Sequence, residues 1–290
     1  MFTPLCSRHP SVARFSLSLG AFAALSVPLS LAGTGCGGGS SSVTSPGITR
    51  VVTGETETIG GATVATWARL DASDKVLEAG VTLPLSVIRN PPAPSASRTV
   101  SAGSTRHTEG QTGPAGSFVD LEFPQAVQQS TFLNHFEMHW NPAGHPPDRY
   151  FVPHFDLHFY NQTLNEVAAV TAPDTVAPAS SRIPTGYLYT GVEQTVPQMG
   201  GHAVAASEFA PGALPFSASM VLGYYRGRMT FVEPMITQAT LLTKETITMS
   251  VPQPAVLGQA TRYPTKFTAV YSPELDAYQC TFTDFANVTQ

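Results

Sequence analysis

Two stretches near the middle of the chain alternate strictly between apolar and ionisable side chains. They are His135-Phe136-Glu137-Met138-His139-Trp140 and His154-Phe155-Asp156-Leu157-His158-Phe159. Successive side chains on a strand point to opposite faces. The pattern therefore predicts strands over Thr131 to Trp140 and His154 to Tyr160, each with an apolar face and a face of His-carboxylate-His. Further strands are predicted over Val64 to Leu70, Val76 to Ile88, Phe118 to Phe123 and Thr246 to Val251. Arg226-Gly227 marks a hairpin between Met220 to Tyr225 and Arg228 to Val232, and the turn 272–276 marks another between Lys266 to Tyr271 and Ala277 to Phe282.

Helical pattern is scarce, confined to Thr163 to Val170 and to a turn or two near Ile236 to Thr243, because proline is spread too evenly for long helices. Residues 89–116 hold Pro91, Pro92, Pro94, four glycines and many Ser and Thr, the composition of a long loop. The expectation is an all-β fold, or a β-rich one with one or two short helices, closed as a sandwich or barrel. One domain spans 48–290.

Composition changes the picture at the N-terminus. Arg8 and Arg14 precede an apolar run from Phe15 to Ala32, and no further charge appears before Arg50. That order reads as a secretory signal over residues 1–35. Pro28 and the serines weaken the alternative, an uncleaved membrane anchor. Leu31-Ala32-Gly33-Thr34-Gly35-Cys36 looks like a bacterial lipobox, departing from it at Gly33, where Leu is usual. Cys36 would carry lipid, and 36–47, rich in Gly and Ser, would be a flexible tether. The expected location is the cell envelope, as a lipoprotein on a periplasmic or outer membrane face, with the membrane as partner through the lipid. Cys6 leaves with the signal and Cys280 stands alone, so the mature chain has no disulfide framework.

Hydrophobic residues are 42% of the chain, enough for a core. Charged residues are only 12% and the net charge is -5, with three lysines, Lys75, Lys244 and Lys266. With no basic run there is no footprint for a phosphate backbone, so a nucleic-acid partner is not expected. No G-x-S-x-G, P-loop, Rossmann glycine pattern or H-E-x-x-H is present.

Five of eight histidines fall between His135 and His158. Imidazole with carboxylate suits Zn, Fe, Mn or Cu rather than Ca. Neighbours on one strand face lie ~6.6 Å apart and next neighbours ~13 Å, so His154 pairs with Asp156 on one ion more readily than with His158. If His139 faced His154, Glu137 would face Asp156, and two carboxylates would need a cation or proton between them. His145 sits in a Pro- and Gly-fixed connection, Asn141 to Pro153. The competing reading is a hydrogen-bonded polar network without metal. Methionine is more often core filler than a copper ligand.

The block from Trp140 to Tyr160, WNPAGHPPDRYFVPHFDLHFY, resembles the signature of a bacterial domain-of-unknown-function family of exported β-rich proteins. Pro197-Gln198-Met199-Gly200-Gly201-His202, with Glu208 following, and Phe231-Val232-Glu233-Pro234-Met235-Ile236-Thr237 resemble two further segments. The resemblance covers most of 55–245. It implies His145, His154, Asp156, His158, His202, Glu208 and Glu233 as matching positions, with His135, Glu137 and His139 outside the block. A first shell drawn from His154, His158, His202 and Glu233 follows, and no reaction does. The expected function is a transition-metal site in a binding or stress-related structural role. A metal-dependent enzyme, hydrolytic or oxidative, with Glu233, Glu208 or Asp156 as base, is one alternative. A metal-free scaffold or ligand-binding module, with a homo-oligomer possible, is the other.

Overall fold

The computed structural model describes residues 49–93 and 117–289. The expected signal, Cys36, the tether and most of the 89–116 loop lie outside the described residues. In chain order the strands begin with β1 (Arg50–Ile59), β2 (Ala62–Leu70) and β3 (Val76–Pro84), which runs into helix α1 (Leu85–Arg89). After the undescribed segment come β4 (Ser117–Glu122), α2 (Gln125–Ser130), β5 (His135–Asn141), β6 (His154–Tyr160) and α3 (Leu164–Ala168). Two short strands follow, β7 (Tyr187–Tyr189) and β8 (Gly201–Ala205), then the hairpin β9 (Ala218–Tyr225) and β10 (Arg228–Thr237), and α4 (Gln238–Leu242). The chain finishes with β11 (Ile247–Ser250), β12 (Thr261–Tyr263), β13 (Lys266–Ser272), β14 (Ala277–Thr283) and β15 (Ala286–Val288).

Two antiparallel sheets carry the architecture. One runs β1-β2-β3-β14-β13-β11, the other β4-β5-β6-β10-β9-β8-β7, and β12 pairs with β15. Alternation puts Ala79, Val81, Leu83, Cys280, Phe282 and Phe267 on the inner face of the first. Phe136, Met138, Phe155, Leu157, Phe159 and Leu222 fill the inner face of the second, and all belong to one buried core. Phe159 marks the join: its ring lies 4.9 Å from Phe136 on its own sheet and 4.7 Å from Phe282 on the other. The result is a sandwich, with no closed barrel among the described residues.

Among the described residues four α-helices form where one or two short ones were expected. Val76 to Ile88 is not one strand: Pro84 has no N–H for the ladder, and Leu85 to Arg89 turns into α1, burying Leu85, Val87 and Ile88. Pro124 likewise precedes α2, so β5 starts at His135 rather than Thr131. The other two helices have caps in the sequence. Thr163 and Glu166 form a capping box on α3, and the Thr237 hydroxyl accepts from the Thr240 N–H at the start of α4. β10 runs past Val232 through Pro234, which pairs with Met220 on β9. On its β6 side the register is interrupted at Glu233 and Pro234.

Candidate metal centres

In an ordinary sandwich the outer face of the second sheet would be wet. Here every residue of β6 is buried. The outer face carries two small apolar clusters, Tyr150, Val204, Phe216, Val221 and Met235, and Tyr160, Val167, Met199 and Phe231. The methionines among them are packing groups. With these clusters lies the strip of imidazoles and acids: His135, Glu137, His139, His154, Asp156, His158 and Glu233 are each at most 5% exposed.

The β5–β6 register is not the one in which His139 faces His154. Glu137 faces His158 and His139 faces Asp156, with Asn141 opposite His154. Each acid meets an imidazole instead of another acid, which removes the carboxylate repulsion that the other register would have created. On the far side of β6, Phe231 pairs with Tyr160 and Met235 with Asp156, so Glu233 comes opposite His158. His202 reaches this neighbourhood from β8, where it pairs with Gly223. Gly223 is required there: a Cβ would run into the Phe231 ring, which packs against both His158 and His202.

Three sets of donors result, each with ligand atoms within 4.8 Å of one another: Glu137, His139 and His158; His145, His154 and Asp156; His158, His202 and Glu233. An ion with ~2.0–2.1 Å bonds to nitrogen needs donors converging on about this scale. The expected shell of His154, His158, His202 and Glu233 is thus divided. His154 groups with Asp156, its neighbour on the strand face, and His158 groups with His202 and Glu233.

The three sets differ in what they already satisfy. His139 Nε2 is joined to Glu137 Oε1 by a short hydrogen bond. Burial works against charge on His139, yet the charge of Glu137 and that hydrogen bond raise its pKa. This pair is complete in itself. His158 is the opposite: both ring nitrogens are buried without a hydrogen-bond partner, as is Glu233 Oε2. His158 Nε2 lies 3.4 Å from Glu233 Oε1 without hydrogen-bond geometry. Burial holds His158 well below its ordinary pKa, pushes His202 down to about 4 and raises Glu233 well above the carboxylate range. All three shifts favour the uncharged form of each group, and a metal ion would compete with a proton for Glu233.

Around Asp156 burial alone would raise the pKa, but His145 and His154 outweigh it and keep the carboxyl well below its usual range. The loop that presents His145 is fixed by Gly144, whose φ is +69° and whose Cβ position is filled by the backbone of Tyr150 and Phe151.

Two residues stand apart from these sets. His135 is bonded through Nδ1 to the Gln162 carbonyl at 2.8 Å and stacks on Tyr160. Glu208, a matching position of the resemblance, accepts from Ser219 Oγ at 2.6 Å and Tyr150 O–H at 3.2 Å and pairs with Arg149. Its oxygens are committed to tying the Asp148–Tyr150 turn to β9. Conversely, Glu137 and His139 join a donor set although they lie outside the resembling block. Their place on the same strand face as His135 was the signal available.

The sequence profile of a family described as TTHB210-like, hypothetical protein TTHB210, matches residues 71–140. The matched stretch runs from the β2–β3 turn to Trp140 in β5, so it includes Glu137 and His139 and stops before His145. No curated protein and no solved structure matches the chain.

Proposed function

We propose that the protein is an exported, lipid-tethered envelope protein that binds a transition metal ion, held in its interior by His158, His202 and Glu233. The observation that carries this reading is His158. A neutral imidazole has one donor and one acceptor, and here both ring nitrogens are buried with no hydrogen-bond partner. Leaving such a group unsatisfied costs about 1–3 kcal/mol. A bound ion would remove that cost and take the place of a proton on Glu233.

The donors come from β6, β8 and β10, so the ion fastens three strands of one sheet. His158 and Glu233 are buried and His202 is half-buried, which restricts access for a substrate and supports a binding or structural role. Zn, Fe, Mn and Cu all suit two imidazoles and a carboxylate.

Elemental analysis of untagged residues 37–290 tests the reading. The expected content is at least one transition ion per chain, with loss of an ion in His202→Ala. A content below a tenth, with no uptake from Zn, Fe, Mn or Cu, rejects it in favour of a metal-free network. The tether is tested separately by fractionation: Cys36→Ser should move the protein from membrane to soluble fractions, and its persistence in membranes would count against lipidation.

A further inference from the structure

We infer that His145, His154 and Asp156 form a second metal site, separate from the interior one, that takes a borderline divalent ion such as Zn2+ in exchange with solvent. The inference extends the metal-binding reading above and rests on different side chains.

Hydrogen bonding fixes the tautomers. His145 Nδ1 contacts the Pro146 carbonyl at 2.8 Å, and His154 Nδ1 contacts the Val152 carbonyl at 2.7 Å. A carbonyl only accepts, so each Nδ1 carries the hydrogen and donates it. In the neutral rings both Nε2 atoms are then bare lone pairs. Both are turned to the same carboxylate. His154 Nε2 lies 3.1 Å from Asp156 Oδ1 and His145 Nε2 lies 3.4 Å from Oδ2. The His154–Asp156 approach lacks hydrogen-bond geometry, and both of its atoms are buried without a hydrogen-bond partner. With both rings neutral, three acceptors converge with no donor between the imidazoles and the carboxylate. One proton on His145 would satisfy one of these contacts and leave His154 Nε2 bare; a cation satisfies all three.

The surroundings have the character of an outer shell. Backbone carbonyls orient both imidazoles, and the Asn141 side-chain amide donates to Asp156 Oδ2 at 2.7 Å. Tyr150 and Phe216 pack beside His154. His145 is the exposed member, with 37% of its side chain open against 0% for His154 and 7% for Asp156. That exposure gives the ion a route to solvent. Three protein donors leave a coordination position for water or a small anion.

Separation from the interior site follows from spacing. Asp156 and His158 are neighbours on one strand face, ~6.6 Å apart, whereas ions that share a bridging atom sit ~3.5–4 Å apart. The self-satisfied Glu137–His139 pair flanks both sets. Two independent ions fit this layout better than one dinuclear centre.

The full chain is stripped with chelator, reloaded with Zn2+, freed of excess by gel filtration and assayed for zinc per chain and for release to a chromogenic chelator. The expected result is two ions, one released at least ten times faster than the other. His145→Ala, a substitution at a half-exposed loop position, should remove the fast ion and keep the slow one, and His202→Ala should do the reverse. A single ion lost in His145→Ala but kept in His202→Ala supports this site and refutes the interior one. An unchanged zinc count and release profile in His145→Ala overturns the inference, whatever the wild-type count, and leaves the interior reading to stand on His202→Ala. No zinc in the wild-type chain overturns both.

Discussion

His158→Leu should melt above the wild-type chain in excess chelator and below it in saturating zinc. The reversal follows from what the imidazole does in each state. Without an ion, His158 sits in the interior with both nitrogens unpartnered. Its exchange for an apolar side chain removes a penalty of about 1–3 kcal/mol. Leucine is close to histidine in volume, so the exchange nearly conserves the space beside Phe231 and Tyr160, whose rings flank the imidazole. With zinc at a thousand times the dissociation constant, the wild-type chain gains about 4.1 kcal/mol from the interior ion, and the variant gains none of it. Any ion bound at His145, His154 and Asp156 contributes equally to both chains and cancels. In a chain of this size each kcal/mol moves the melting temperature by about 2–4 °C, so both differences are within reach of scanning calorimetry. The same ordering with and without zinc would show that His158 is not a ligand.

Phe159→Ala should lower the unfolding free energy by about 3–5 kcal/mol, a large share of the roughly 5–15 kcal/mol that domains possess. The ring is fully buried and touches Phe123, Phe136, Phe267 and Phe282, which belong to both sheets and their connections. Four rigid rings around a deleted fifth cannot close the gap, so the loss sits at the upper end of the range for a core truncation. Denaturant titration would show a lower midpoint with an unchanged slope. Because Phe159 points away from the histidine strip, zinc per folded chain should stay at the wild-type value. A loss below about 1 kcal/mol would mean that the sheets do not meet at this ring.

The two variants also mark what the sequence displays. Phe159 and His158 are consecutive, and simple alternation already assigns them to opposite faces, one to the core and one to the chemistry. The strands on either side of Arg226-Gly227 and of 272–276 were legible for the same reason. Register was not. Thirteen residues, Asn141 to Pro153, connect the alternating strands, and nothing in their composition sets which acid meets which imidazole. The fold sets Glu137 against His158 and His139 against Asp156, so that neither acid faces the other. Nor does the sequence reveal that the polar face would be covered, since Tyr150, Phe216 and Met199 come from loops with no periodicity. His202 is a further case. Its approach to His158 depends on Gly223, two strands away from β6, having no side chain to block Phe231. The helices α1 and α2 were hidden by short apolar runs, Leu85 to Ile88 and Ala126 to Val127, which read equally well as strand.

Cys280, the free cysteine among the described residues, is buried in the core, and burial pushes its thiol pKa up. The described residues therefore contain no disulfide to limit the unfolded ensemble. An ion joining His158, His202 and Glu233 would do the same work, closing loops dozens of residues long between β6, β8 and β10. The resilience of such a protein would then follow the metal supply of its surroundings rather than their redox potential.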